Sequence, residues 1–265
     1  VQSVEQAIAR RGLDEPSPQD LVALRSRLDE ARRLDEAPQV QPYFDDLAAV
    51  VDQLERFYAG EMVELPLDES LRGWRVRGEV HQQPAGWVRV QNVSGTTGTQ
   101  LTPLASFPPP FVVQAELAFP PSDSYHNEAC IMFGPPDLRG VYDQGLIRRM
   151  SVRCSSECLS TQVGGEHEGQ QTHHIGENAS HRVEFRLWPG RIQMYHNGTL
   201  YLDDATLPPD APAEITFGEV VPALETNVFK CRNIRIRRLS DDPPPPSEVR
   251  PDRPATGEMQ SQSDA

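Results

Sequence analysis

The stretch HRVEFRLWPGRIQMYHNGTLYLDD, residues 181–204, decides the fold class. Val183, Phe185 and Leu187 alternate with Arg182, Glu184 and Arg186. That period of two sends successive side chains to opposite faces of a strand. A turn at Trp188-Pro189-Gly190 follows, and then Ile192 and Met194 alternate with Gln193 and Tyr195. Asn197-Gly198 is the residue pair that a type I′ hairpin turn demands, because both positions take positive φ. The segment therefore reads as a three-strand meander. Val183, Phe185, Leu187, Ile192 and Met194 are predicted core. Arg182, Glu184, Arg186, Gln193 and Tyr195 lie on the other face.

The same period runs on both sides of this meander. WRVRGEV begins it at Trp74, with Trp74, Val76, Gly78 and Val80 on one face. WVRVQNV follows a Pro-Ala-Gly turn, and FVVQAELAF sets Phe111, Val113, Ala115, Leu117 and Phe119 together. ACIMFG, LIRRMSVRC, EITFGEV and CRNIRIRRL extend the series. Many short strands, Gly/Pro/Asn turns and no interleaved helix predict a mainly β fold, a β-sandwich or jelly roll.

Residues 1–61 carry helical patterns instead. Val4, Ala7 and Ile8 form a short first one. In SPQDLVALRSRLDEARRLDEA, Ser17 suits an N-cap and Pro18 the first helical position, with Leu21, Leu24, Leu28 and Ala31 on one side. Pro38 and Pro42 are read as breakers. Phe44, Leu47, Val51, Leu54 and Tyr58 form the next stripe, which Gly60 ends. The prediction is an N-terminal α-helical hairpin, which packs on the β-domain or serves as an arm for self-association or a partner. The jelly roll spans 62–240. Residues 241–265, DDPPPPSEVRPDRPATGEMQSQSDA, have almost no apolar bulk and read as a disordered, Pro-rich tail.

The 265 residues carry a formal net charge of −14. Such a chain repels phosphate backbones and anionic membranes, so nucleic acid is not an expected partner. No apolar run approaches the roughly 18 residues of a membrane span. The chain opens on Val1 and is read as a mature or trimmed form. Lys230 is the only lysine, so nearly all basic charge is Arg, which suits planar contacts with carboxylates. Cys130, Cys154, Cys158 and Cys231 all fall in the β-rich region. An even count allows three disulfide pairings without selecting one, and Cys154 and Cys158 can meet only across a turn. Disulfides would fit an oxidising compartment; a four-cysteine zinc site lacks a C-x-x-C knuckle, and buried free thiols are the remaining alternative.

The order of motifs carries a family resemblance. LDESLRGWRVRGEV gives a Leu-x-Gly-Trp and a strand. PFVVQAELAFPPSDSYHNEACIMFG gives a strand pair around a ligand-sized loop. Arg191-Ile192 and Asn197-Gly198 fit an R-I-x-x-x-x-N-G hairpin, and Cys231-Arg232-Asn233-Ile234-Arg235-Ile236 is close to a Phe-Arg-Asn-Ile-Arg-Ile closing strand. Over residues 66–240 the chain resembles concanavalin A-like (laminin-G-like) jelly rolls, in particular the bacterial 3-keto-disaccharide hydrolase-like domain. The resemblance implies the jelly roll and, as an alternative function, a glycoside-acting hydrolase. Before its last strand that group has a Gln-Asp-His-Gly-like stretch; here FGEVVPALETNVF stands instead, without a His.

No catalytic residues are assigned from sequence. Arg182, Arg186, Gln193 and Tyr195, with Trp87 and Tyr125 as sugar-stacking aromatics, are the candidate ligand contacts. An Arg-rich face suits uronic acids and other acidic glycans. Asp123, Glu128, Asp137, Asp143, Asp203 and Asp204 are acidic candidates for sugar or calcium, with Asp203-Asp204 the one weak calcium hint. His167, Glu168, His173, His174 and His181 lack helical metal-ligand spacing and read as a loop. No metal or cofactor is otherwise expected. The leading expectation is a non-catalytic carbohydrate-binding or protein-interaction module of an exported bacterial protein, periplasmic, cell-surface or secreted. A structural module that assembles through the helices is the third reading.

Overall fold

The computed structural model describes residues 18–34, 41–91, 100–118, 128–134, 148–153, 158–163, 166–172, 180–205, 214–218 and 228–243. The first helical pattern and the tail beyond 243 lie outside them. Over 128–172 the description is of backbone pairing.

Two helices open the described chain, α1 (Pro18–Leu34) and α2 (Gln41–Tyr58). They form the expected hairpin. Leu21 and Leu28 of α1 are buried, as are Val51, Leu54 and Phe57 of α2. The first helix ends at Leu34, ahead of Pro38 and Pro42, and Pro42 itself sits in the first turn of α2. The N–H groups there have no intrahelical acceptor, so proline loses nothing. The Arg25 guanidinium ties the helices together, donating to Glu55 at 2.9 and 2.7 Å.

The strands are β1 (Val63–Glu64), β2 (Trp74–Arg77), β3 (Glu79–Gln82), β4 (Val88–Gln91), β5 (Gln100–Pro103), β6 (Phe111–Ala118), β7 (Glu128–Gly134), β8 (Arg148–Arg153), β9 (Cys158–Val163), β10 (Glu166–Thr172), β11 (His181–Trp188), β12 (Arg191–His196), β13 (Thr199–Asp204), β14 (Glu214–Gly218) and β15 (Val228–Arg238). Among the described residues they build two antiparallel sheets. The large one has eight strands in the order β13-β12-β11-β6-β15-β4-β3, with β1 beside β15. The small one has seven, β10-β9-β8-β7-β14-β5-β2. Leu101, Ile215 and Phe217 of the small sheet share one core with Phe111, Val113, Phe185 and Ile236 of the large sheet. The sheets are therefore stacked face to face as a jelly-roll sandwich. Leu21, Leu54 and Phe57 belong to the same core, so the hairpin is fused to the sandwich through apolar contact.

The opening stretch folds as read. Val183, Phe185, Leu187, Ile192 and Met194 are each at most 3% exposed, and a side chain of this size stabilises by about 1.5–3 kcal/mol when fully buried. Asn197 (φ 49) and Gly198 (φ 85) form the predicted turn. Elsewhere the sequence reading needs correction. WRVRGEV is not one strand: Gly78 (φ 89) breaks it, and β2 and β3 enter different sheets. A positive φ of that size reverses the strand's course and is open to glycine at low cost. Part of the His-rich segment read as a loop is strand β10, which among the described residues pairs only with β9. Backbone pairing at a sheet edge does not require an apolar alternation, so its polar sequence hides it.

Cys231 is a free thiol, fully buried in the core, and burial pushes its pKa up to about 12. Disulfide schemes that use all four cysteines, and a four-cysteine zinc site, are thereby corrected. The chain's other three cysteines lie where side chains are outside the described residues.

Candidate functional site

The outer face of the large sheet collects the polar halves of its strands. The inward set of β6 is Phe111, Val113, Ala115 and Leu117, which leaves Gln114 and Glu116 facing out. On β11 the outward set is Arg182, Glu184 and Arg186, and on β12 it is Arg191, Gln193 and Tyr195, next to Asp203 of β13.

Strand β15 would break this order without a device. Arg232 pairs with Glu116 and Arg235 with Gln114, so three steps on β15 match two on β6. One extra residue has been inserted, a β-bulge, with Asn233 at φ 52. Strict alternation would put Arg232 and Arg235 on opposite faces. The bulge turns both outward, while Cys231, Ile234 and Ile236 stay in the core at 0–1% exposure. Glu116 clips the bulge. It accepts from Arg232 Nε at 2.9 Å, from Asn233 Nδ2 at 2.9 Å and from Ser180 Oγ at 3.3 Å. The Asn233 hydrogen bond, followed by those of Arg232, holds the Glu116 carboxyl below the ordinary carboxylate range.

A second network runs from the β13 edge. Arg191 donates to both oxygens of Asp203, at 2.7 and 2.6 Å. This fork-to-carboxylate geometry is the strong kind, and it raises the Arg191 pKa. Gln193 Nε2 also donates to Asp203, at 3.1 Å, and the Tyr195 hydroxyl donates to Gln193 Oε1 at 3.0 Å. The Arg186 guanidinium lies 4.6 Å above the Tyr195 ring and donates to Glu184 at 2.7 Å. Gln114 donates to the other Glu184 oxygen, also at 2.7 Å. At the far end Arg232 covers Trp87 at 4.3 Å.

Five of the six sequence candidates thus share one face. Arg186, Gln193 and Tyr195 touch through the second network; Arg182 is exposed on the same side, and Trp87 lies under Arg232. Tyr125 lies outside the described residues. Gln193 is only 1% exposed, its amide spent on Asp203 and Tyr195. Both aromatic rings are capped by guanidinium groups, so neither is a bare stacking platform. Sequence reasoning missed Arg191, Glu116, Arg232, Arg235 and Arg237 as members of the face. Arg191 was legible from its alternation with Ile192; the β15 arginines were not, because the bulge shifts their phase.

Asp203 and Asp204, adjacent in sequence, face opposite sides of β13. Asp203 sits in the Arg191 fork and Asp204 is buried. Among the described residues no three His, Cys, Asp or Glu side chains come together as a metal site, and no helix is long and apolar enough to cross a membrane.

No protein-family model and no curated protein matches the chain. Solved structures do resemble it. A protein of unknown function with a galectin-like fold from Bacillus subtilis has 13% identity, with 66% of this chain and 94% of that chain covered and a TM-score of 0.50. The apo Crh5 transglycosylase has 12% identity, with 68% and 84% covered and a TM-score of 0.50. At these identities the likeness is one of fold. The fold is a jelly roll of the concanavalin A-like kind with an N-terminal helical hairpin.

Proposed function

We propose that the protein is a non-catalytic binding module for acidic glycans, and that it uses the outer face of the large sheet. One observation carries this reading: the arginines of the face outnumber its carboxylates, and all of these but the exposed Glu64, opposite Arg235 on β1, and Glu79 at the β3 edge are already engaged by Arg. Glu116, Glu184 and Asp203 each accept hydrogen bonds from Arg together with Asn or Gln. A glycosidase needs one carboxyl free to give a proton and a second free to attack or activate water. Glu116, held ionised by its partners, is a poor proton donor. By contrast Arg182, Arg235 and Arg237 are exposed and make no side-chain ion pair with a described residue. Guanidinium forks match carboxylates and sulfates in shape and charge. In a chain of net charge −14 such a cationic face is a local exception. The jelly-roll likeness to a protein titled a transglycosylase agrees with a sugar ligand without choosing between binding and turnover. A place outside the cytoplasm, in the periplasm or at the cell surface, goes with this reading.

The test is calorimetric titration with polygalacturonate and with a neutral β-glucan, alongside chromatography for released sugars. The expected result is binding of polygalacturonate alone, weakened about tenfold in Arg235→Ala/Arg237→Ala and by added salt, with no release. Equal binding of both polymers would refute the reading. Sugar release would replace it with the hydrolase alternative.

A further inference from the structure

At the β3–β4–β15 corner of the large sheet, two cations, Arg89 and Lys230, face one another. Arg89 of β4 is the direct cross-strand partner of Lys230 of β15, and His81 of β3 is the partner of Arg89 on its other side. Like charges directly opposite on a sheet are unfavourable. A design under no other demand would place a carboxylate here, as Glu116 is placed one row away. In this row β6 contributes Ala118, opposite Lys230. The nearest acid on the same strands, Glu79, lies beside His81, with 3.4 Å between Nε2 and Oε2. Neither Arg89 nor Lys230 makes a side-chain hydrogen bond or ion pair with a described residue. The Arg89 Nε is buried with no acceptor, so this guanidinium is partly desolvated and, among the described residues, has no counter-charge, a costly state.

We propose that Arg89 and Lys230 form a carboxylate subsite that takes the uronate group of an acidic polysaccharide. This rests on the outer-face reading above and adds where the first charge docks. Arg89 offers a planar fork and Lys230 a mobile point donor on the opposite strand, so one carboxylate can bridge them. Arg232, two residues beyond Lys230, walls the subsite. It is fixed over Trp87 and donates to the Ala85 carbonyl at 3.2 Å. The subsite therefore has one rigid side and one adaptable side.

Lys230 is the only lysine of the chain, which makes a direct test practical. Reductive ¹³C-methylation labels its amine and the N-terminal amine alone, and it keeps the charge. Titration with galacturonate oligomers should shift the Lys230 methyl signal saturably, with the N-terminal signal still. In the unlabelled protein, Lys230→Gln and Arg89→Gln should each weaken polygalacturonate binding about tenfold. Lys230→Gln serves where Arg89→Gln disturbs folding, as checked by circular dichroism. Polygalacturonate affinity unchanged in Lys230→Gln, but reduced in Arg235→Ala/Arg237→Ala, would overturn the subsite and leave the outer-face reading standing. Failure of the wild-type protein to bind any acidic polysaccharide would remove both. A Lys230 signal that moves only in proportion to salt overturns the subsite in either case.

Discussion

Replacing Glu116 with Gln tests whether the β15 bulge is held by charge. The native carboxylate accepts one hydrogen bond from Arg232 Nε at 2.9 Å, one from Asn233 at 2.9 Å and one from Ser180 at 3.3 Å, and its ion pair with Arg232 closes to 2.8 Å. Bonds to a charged group contribute about 1.5–3 kcal/mol each when well buried. The Glu116 and Arg232 side chains are 20% and 28% exposed, so water screens the pair and the lower end applies. Glutamine keeps the shape and one acceptor oxygen. The expected loss is about 1–2 kcal/mol at pH 7, or roughly 2–6 °C in Tm. Its pH dependence is the sharper signature. The folded-state pKa of Glu116 is depressed, so the unfolded chain takes up the proton first. The stabilisation is then complete above the unfolded carboxylate range, about pH 4.3, and is lost as pH falls through the lower folded value. Protonated Glu116 resembles Gln, and Gln does not titrate. Urea unfolding followed by tryptophan fluorescence should therefore show a gap between wild type and variant at pH 7 that closes towards pH 3. An equal gap at both pH values, or none at pH 7, would refute the charge-clip account.

Phe57→Ala should cost about 3–5 kcal/mol, since Phe57 is fully buried and packs edge-on against Phe107 at 5.1 Å; a thermal melt of the β-domain unaffected by it would mean the hairpin is only loosely attached. Gly78→Ala, at φ 89, should lose about 1–2 kcal/mol in urea unfolding; an unchanged midpoint would show that the strand switch does not need the left-handed backbone. Cys231, with its pKa pushed up to about 12 by burial, should resist iodoacetamide at pH 8 in the folded protein and react in urea. Peptide mapping that finds it alkylated at equal rates in both conditions would contradict its place in the core.

Much of the large sheet was legible because its strands face the core on one side and water on the other. Val183 to Met194 alternates cleanly for that reason, and the two turns announce themselves by Pro-Gly and Asn-Gly. The same logic failed wherever pairing did not depend on alternation. Strand β10 is polar and lies at an edge. Strands β2 and β3 form one continuous pattern, yet Gly78 sends them to opposite sheets, because backbone conformation and not hydropathy directs that junction. Of the candidate contacts, Arg182, Arg186, Gln193 and Tyr195 were found by phase alone. Their state was not: whether a donor is free or spent depends on partners such as Asp203 and Glu184, which alternation does not name.

The sequence by itself determined a jelly-roll sandwich, a helical hairpin ahead of it and the core face of residues 181–204. These are local matters of periodicity, turn chemistry and capping, written within a few residues of where they act. Only the tertiary structure decided that Cys231 is a buried free thiol, that the helices share the sandwich core, and that Arg232, Arg235 and Arg237 line up on one face. Each of these depends on contacts between residues far apart in the chain. Glu116 clips a bulge at Asn233, and one inserted residue there resets the phase of every arginine that follows.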